Sequence, residues 1–225
     1  MTGRVLLSAL QSRHFPAYTG GMNEIQRLAR SQHATTQAAD GLPRLAWTLG
    51  EFERLSELGF FGGIDRERER LELIDGELLP MNAKGARHEW VRGELFLHLV
   101  RSLASGYSIY AEPGWRPGGE LYLEPDMIVC RAGLQPATIP PAEVLLLIEV
   151  ADTSLGYDKG IKSKTYARLG VREYWVVNAV TLETFVHLQP GEQGYANVVT
   201  LAPNEALAPR ALPSLTVSMG ALQVG

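Results

Sequence analysis

A carboxylate stands within one of the most apolar stretches of this sequence. The run VLLLIEVA, residues 144–151, is nearly continuous in hydrophobic residues, which is typical of a strand covered on both faces, yet it carries Glu149. Burying a carboxylate costs several kcal/mol unless a cation or a metal ion compensates its charge. The pattern therefore predicts a charged partner for Glu149, and chemistry where the two meet.

Lys162 is the first candidate for that partner. Residues 158–170 are predicted to form a helix with Asp158 as its N-cap, and at about 100° per residue Lys162 falls on the apolar face while Lys164 points away. The residues that mark this face are Ile161, Tyr166 and Leu169. Lys162 is therefore expected to face the sheet near the C-terminal end of the strand that carries Glu149.

Asp126 supplies a second carboxylate, directly after Pro125 at the head of another apolar run. If this strand neighbours the one that carries Glu149, the two carboxylates converge. Two carboxylates with backbone carbonyls and water suit Mg²⁺, for which Mn²⁺ is the alternative ion. Such an ion activates water and neutralises charge on a phosphodiester, while Lys162 would orient the nucleophile or stabilise the transition state.

The elements around these residues are predicted from hydrophobic spacing and turn signals. Asp75-Gly76 lies between two short strands as in a tight hairpin, and Thr48 and Glu51 are spaced as in a helix capping box that opens a helix ending at Gly59. Further segments are a helix over 88–104, strands within 107–115, 120–130 and 172–178, and short antiparallel strands after 184. Strand 144–151, helix and strand 172–178 form a βαβ unit, so the predicted fold class is α/β (α+β), a mixed sheet flanked by helices.

Three stretches resemble the Uma-type restriction endonuclease family of the PD-(D/E)XK nuclease superfamily. They are RLELIDGELLPM, EPDMIVC and IEVADTSLGYDKGIKSKTYARLGVREYWVVN, and the resemblance extends over residues 45–222. It implies a restriction-endonuclease-like fold, Mg²⁺-dependent hydrolysis of DNA phosphodiester bonds and a homodimer.

The resemblance also implies residue roles. Asp126 and Glu149 would be the metal ligands, and Lys162 the catalytic cation. The superfamily lysine two residues beyond the second acid is replaced here by Ala151, but the family carries its lysine at the position of Lys162. The helical projection selects the same lysine independently of the resemblance.

Two further residues match the family by position. Glu72 matches an acidic position and is expected to complete the catalytic set, and His88 matches a recurrent histidine with an accessory role. Asn178 stands where the family usually has aspartate, at a position expected to be structural.

The sequence leaves structural interpretations open for each of these residues. Glu149 and Lys162 could form a bare buried ion pair, Asp126 could hydrogen-bond a strand start, and Glu72 could be a solvated hairpin carboxylate. His88 could simply open a helix. Tyr166 and Trp175 are expected to be core aromatics rather than base-stacking groups. Lys159, Lys164 and Arg168 are expected to form a solvated face, with phosphate contact as the alternative.

Two other functions also fit the sequence. One is a non-catalytic module that binds nucleic acid or protein and retains the nuclease fold, which the formal net charge of -4 favours slightly. The other is a metal-dependent hydrolase of a different phosphate ester. The negative net charge gives no support to nucleic-acid binding over the whole surface, but it is compatible with a local basic groove.

The remaining expectations concern location and domain organisation. The single Cys130 lies in an apolar run, so it is expected to be a buried, unreactive thiol in a reducing compartment. No apolar stretch approaches the ~18 residues of a membrane span, so a cytoplasmic protein is expected. Residues 1–42 are a weakly patterned extension in which Met22 is an alternative start, and residues 43–225 form the nuclease domain.

Overall fold

The computed structural model of the protein describes residues 46–61, 70–81 and 83–223. The chain divides into two compact units, Met1–Ala46 and Trp47–Gly225, and every element described below belongs to the second. The predicted extension over residues 1–42, with Met22, lies outside the described residues.

The secondary structure of the second unit alternates short helices and strands. The helices are α1 (Leu49–Glu57), α2 (Ala86–Ser102), α3 (Leu155–Tyr157) and α4 (Ser163–Arg168), with a π-helical turn, Asp158–Lys162, between α3 and α4. The strands are β1 (Leu71–Ile74), β2 (Glu77–Pro80), β3 (Tyr107–Ala111), β4 (Met127–Arg131), β5 (Val144–Ala151), β6 (Glu173–Asn178), β7 (Thr184–Gly191) and β8 (Gly194–Leu201).

The main sheet has six strands in the order β3-β4-β5-β6-β7-β8. β5 and β6 are parallel, as the predicted βαβ unit requires, and the other neighbouring pairs are antiparallel. β1 and β2 form a separate antiparallel hairpin. The predicted mixed α/β class is therefore confirmed.

Local signals near the start of the unit behave as predicted. Thr48 caps α1 in a complete capping box with Glu51. Gly59, just beyond α1, has a φ of 71°. Asp75 and Gly76 have φ angles of 52° and 83°, which are the left-handed values that a two-residue hairpin turn demands.

Apolar residues cover both faces of the sheet. Val91, Leu95 and Leu99 of α2 pack in one core with alternate residues of β4, β5 and β6. Tyr166 packs in a second core on the opposite face, together with Cys130, whose thiol is buried and free. Because both faces are covered, a charged side chain on β5 is forced into a protein environment unless it lies at the strand's end.

The predicted helix over 158–170 differs from the structure in two respects. The helical segment begins earlier, at Leu155, and Asp158 is a buried residue within it rather than an N-cap. The π turn also adds a residue to one turn, which shifts the face presented by the residues within it. For that reason Ile161, predicted to be apolar and inward, is 36% exposed.

The predicted strand over 120–130 is shorter than expected. Only Met127–Arg131 forms β4, while Tyr122 and Leu123 make isolated bridges to Leu73 and Trp115. Pro125 has no amide proton to donate to a strand ladder, and it separates the two parts. Asp126 consequently stands immediately before β4 instead of within a longer strand.

Candidate active site

Adjacent strands bring Asp126 and Glu149 together. β4 and β5 pair with Met127 opposite Ile148, so the residue before β4 reaches the C-terminal end of β5. The Val150 amide donates to Asp126 Oδ2 at 2.8 Å, and the Asp126 amide donates to Glu149 Oε2 at 3.3 Å. The predicted neighbouring strands are therefore present, and each carboxylate accepts a backbone amide from the segment that carries the other.

Lys162 points inward from the π turn, as the helical projection predicts. Both Lys162 and Glu149 are 4% exposed. Lys162 Nζ donates to Glu149 Oε1 at 2.9 Å and lies 3.1 Å from Glu72 Oε1. Lys164, two residues later, is exposed, again as predicted. One ammonium thus bridges two buried carboxylates from different sheets.

Glu72 is the carboxylate contributed by the β1–β2 hairpin. It is buried, so the alternative of a solvated hairpin carboxylate is wrong. Its Oε1 accepts the Glu124 amide at 2.9 Å, and its Oε2 accepts the Tyr157 hydroxyl at 3.3 Å. These bonds hold Glu72 against Lys162 even though it belongs to a separate sheet.

His88 lies in the first turn of α2, where its ring is buried against Asp126. His88 Nε2 is 3.1 Å from Asp126 Oδ2, and Nδ1 is 3.2 Å from Glu89 Oε1. The His88 imidazole therefore links the buried Asp126 carboxylate to the exposed Glu89 carboxylate of α2. All five residues singled out in the sequence meet in one place.

Three further residues belong to this cluster and were missed or misread in the sequence. Lys84 Nζ lies 3.0 Å from Asp126 Oδ1, the Tyr166 hydroxyl donates to Glu149 Oε1 at 2.8 Å, and Asp158 is buried next to them. Tyr166 was predicted only as a core aromatic, and Asp158 only as a helix cap. Lys84 lies in a short segment before α2 where no periodicity gives a signal.

The charge states follow from burial and contacts. Burial disfavours the charged form of Asp126, but the bond to His88, the charges of His88 and Lys84 and the Val150 amide outweigh it and hold the pKa well below its usual range. Burial raises the pKa of Glu149, with Lys162 opposing and the neighbouring acids adding to the rise. Asp126 is thus ionised, whereas burial disfavours the ionised form of Glu149.

Lys162 remains a cation despite its burial. Burial alone would lower its pKa, but the charges of Glu149, Glu72 and Asp158 raise the pKa well above its usual value. The pKa of Asp158 is raised to about 6, chiefly by burial and against the attraction of Lys162 and the bond from Ser154. Lys162 is therefore suited to stabilise negative charge on a ligand rather than to act as a general base.

A cavity of about 360 Å³ opens onto the cluster. It has room for on the order of ten waters, enough for a hydrated ion or a phosphodiester group. Six carboxylates and two lysines line it: Glu72, Glu124, Asp126, Glu149, Asp152 and Asp158, with Lys84 and Lys162. The excess of negative charge would repel a polyanion unless cations neutralise it.

The donor set fits a hard divalent cation of the Mg²⁺ type. Among the described residues, no three His, Cys, Asp or Glu side chains are grouped to hold a metal ion by themselves. Mg²⁺ does not require such a cage, because it commonly binds one or two carboxylates and keeps several waters. Asp126 and Glu149 supply such a pair at the cavity wall.

The residues expected to form a basic outer face are held in different ways. Lys159 Nζ lies 3.4 Å from the centroid of the Phe185 ring, and Arg168 Nη2 donates to Asp75 Oδ2 at 2.6 Å. Trp175 is buried in the core, as predicted.

Within the described ranges, no helix is both long and apolar enough to cross a membrane.

Comparisons with known proteins identify a related family and a similar fold. A family model, Uma2, described as "Putative restriction endonuclease", matches residues 49–220. A crystal structure titled as a putative nuclease belonging to DUF820, from Anabaena variabilis, is similar with a TM-score of 0.59 and 15% identity, over 77% of this chain and 95% of that one. At that identity the similarity concerns the fold alone, and no curated protein matches the sequence. Since the family model spans most of the chain, the protein belongs to the Uma2 family of nuclease-like proteins.

Proposed function

We propose that this protein is a metal-dependent endonuclease that hydrolyses DNA phosphodiester bonds, with Mg²⁺, or Mn²⁺ in its place, as the ion. The observation that carries the proposal is the buried Lys162 ammonium held between Glu149 and Glu72 and facing a cavity that Asp126 also lines. A bare ion pair would require neither the third carboxylate nor the cavity. Family membership supports the nuclease class, and the metal and the DNA substrate belong to the proposal.

The chain's own residues have distinct tasks in this proposal. Asp126 and Glu149 would hold the divalent ion, which supplies Lewis-acid activation of water and neutralises phosphate charge when bound. Lys162 holds negative charge at the reacting phosphate, because its neighbours keep it protonated. Glu72 anchors Lys162 through the 3.1 Å contact, and His88 orients Asp126 through the 3.1 Å contact at Oδ2.

Burial in the cavity makes these electrostatic effects effective. Charges act more strongly where water is excluded, and they require no reorganisation when hydrogen bonds already fix them. The Tyr166 hydroxyl and the Asp126 amide both donate to Glu149, which leaves its carboxylate with one fixed orientation. The proposal therefore assigns Tyr166 a positioning role.

Supercoiled and linear DNA incubated with the purified protein and Mg²⁺ or Mn²⁺ test the proposal. We expect cleavage by the wild type and its loss in Asp126→Asn. Asp75→Asn is the matched control, because Asp75 lies in the β1–β2 turn and pairs with Arg168 on the surface. Absence of wild-type cleavage across ions and pH would refute the enzyme, and cleavage that survives Asp126→Asn would refute the site.

A non-catalytic module that binds nucleic acid or protein is the second candidate. It is favoured by the way in which the cluster neutralises itself, since Asp126 contacts Lys84 through one oxygen and His88 through the other. In that case DNA would be retained but not cut. A gel-shift assay with the same duplex, run beside the cleavage assay, distinguishes the two candidates.

Two organisational proposals accompany the function. We place the nuclease domain at residues 43–225, and we propose a homodimer in which edge strand β8, with exposed Val198 and Val199, is covered by the second copy. Exposed apolar edge strands readily pair with another chain. A solution mass of one 24.7 kDa chain by light scattering would contradict the dimer.

A further inference from the structure

A second lysine stands at the cluster in a different setting from Lys162. Lys84 Nζ lies 3.0 Å from Asp126 Oδ1, and the same ammonium contacts the Glu112 carboxylate. The Lys84 side chain is 15% exposed, whereas that of Lys162 is 4% exposed. Lys162 is held between two buried acids, but Lys84 joins one acid inside the site to one at its margin.

Glu112 is positioned to receive Lys84 if it leaves Asp126. Directly after β3, Glu112 adopts a φ of 47°, and its amide donates to the Asp126 carbonyl at 3.0 Å. This backbone bond keeps the two acids as neighbours. Arg70 lies 3.3 Å from Glu112 Oε1 and Arg92 lies 3.8 Å from Oε2. Glu112 is therefore held by contacts that do not involve Lys84.

The contacts close into a ring. From Asp126 they run through Lys84 to Glu112, then 3.8 Å to Arg92, 2.7 Å to Glu89, 3.2 Å to His88 and 3.1 Å back to Asp126. Within the ring the two oxygens of Asp126 are held differently. Oδ2 accepts the Val150 amide and contacts His88, whereas the contact made by Oδ1 is with the flexible lysine. Oδ1 is the oxygen that a new ligand can reach at the smallest cost.

We propose that Lys84 is an exchangeable cation of the active site. Before a divalent ion binds, Lys84 neutralises Asp126 at Oδ1; the ion displaces it, and the freed ammonium, still beside Glu112, contacts a phosphate of the DNA. The second half rests on the proposed nuclease function, whereas the first half concerns the metal alone. A flexible four-carbon stem with a compact charge suits such an exchange better than a planar guanidinium.

Lys84→Met tests the exchange through two readouts that move in opposite directions. In calorimetric titration of the DNA-free protein with Mn²⁺, we expect an affinity about 10-fold tighter than wild type, because the ion no longer competes with an ammonium at 3.0 Å. In fluorescence anisotropy with a labelled duplex and Ca²⁺, we expect DNA affinity several-fold weaker, with the salt slope reduced by about one. A purely structural lysine would weaken both.

Arg92→Met is the matched control for electrostatics. It removes a positive charge from the same ring, but Arg92 contacts Glu89 and Glu112 rather than Asp126. We expect a much smaller gain in Mn²⁺ affinity than for Lys84→Met. Equal gains would overturn the exchange, because the effect would then be general charge removal, and so would an unchanged or weaker Mn²⁺ affinity in Lys84→Met.

The outcomes separate this inference from the proposed function. If wild type binds Mn²⁺ but cuts no DNA, the tighter binding of Lys84→Met still supports displacement while the nuclease proposal fails. If DNA affinity is unchanged in Lys84→Met, the phosphate contact is overturned. Lys84→Gln serves if Lys84→Met unfolds, as judged by circular dichroism, because it keeps a polar side chain while removing the charge.

Discussion

Two buried glutamates on neighbouring parallel strands have opposite surroundings. Glu149, near the end of β5, meets the Lys162 ammonium and lies beside Asp126 and a cavity. Glu173, at the start of β6, is equally buried, but it accepts the Trp175 indole N–H and the Arg210 amide, both at 2.8 Å. Neutral N–H donors therefore satisfy Glu173, whereas Glu149 lies among a lysine and other carboxylates.

The difference shows what distinguishes a structural buried acid from a candidate catalytic one. Burial raises the pKa of both groups, so burial and pKa direction do not separate them. The separating feature is what compensates the charge. Glu173 ties the chain near Arg210 to the sheet, whereas Glu149 belongs to a set whose members share charge and face solvent-accessible space.

The largest effect is expected from Lys162→Met. Removing one partner of a buried ionic cluster leaves Glu149 and Glu72 uncompensated, so we expect a loss of about 3–5 kcal/mol in the free energy of unfolding and abolished DNA cleavage. Urea denaturation measures the first. Lys164→Met is the control, because Lys164 is exposed on the same helix. If Lys162→Met lost no more stability than Lys164→Met, Lys162 would not stabilise the buried acids.

Exchanging each glutamate for glutamine tests the comparison directly. Glu149→Gln should reduce cleavage by about 10³-fold and cost about 1–3 kcal/mol in the free energy of unfolding, because the amide nitrogen would oppose either the Asp126 amide or the Lys162 and Tyr166 donors. Glu173→Gln should keep cleavage but lose about 2 kcal/mol, because the amide oxygen can accept one of its two donors while the amide nitrogen opposes the other. Cleavage assays below both melting temperatures, with urea denaturation, give the two values. Lost cleavage in Glu173→Gln together with retained cleavage in Glu149→Gln would contradict the distinction between the two acids.

A smaller, pH-dependent effect is expected from Asp158→Asn. The pKa of Asp158 is raised from 3.8 to about 6, so the folded state binds its proton more tightly than the unfolded state does. Its contribution is therefore favourable below pH 3.8 and is lost as the pH rises through about 6. Asparagine should remove this loss and gain roughly 1–2 kcal/mol at pH 7.5 relative to pH 4, which is below the ~3 kcal/mol of the full shift because attraction to Lys162 is also lost.

Thermal unfolding from pH 4 to pH 7.5 checks this expectation. If the difference in stability between the wild type and Asp158→Asn is constant from pH 4 to pH 7.5, Asp158 does not titrate as a member of the cluster. Asp158 would then resemble Glu173 in being held by local donors, in its case the Ser154 hydroxyl at 2.5 Å.

Several features of the site could be predicted because local rules decide them. The lone carboxylate in a nearly continuous apolar run identified Glu149. The helical angle selected Lys162 over Lys164 despite the π turn, because the turn shifted Ile161 but kept Lys162 inward. The Asp75-Gly76 turn required only backbone chemistry. Such signals depend on near neighbours in the chain and therefore survive without knowledge of the fold.

Contacts over long sequence separations could not be predicted in this way. The sequence alone determined a mixed α/β domain with a buried acid–lysine pair, since apolar runs and helical spacing are local properties. Only the tertiary structure decided that Glu72 would cross from a separate hairpin, that Asp158 would be buried and that Lys84 would reach Asp126. Those contacts depend on the packing of β1, α2 and β4 against one another, which no periodicity records.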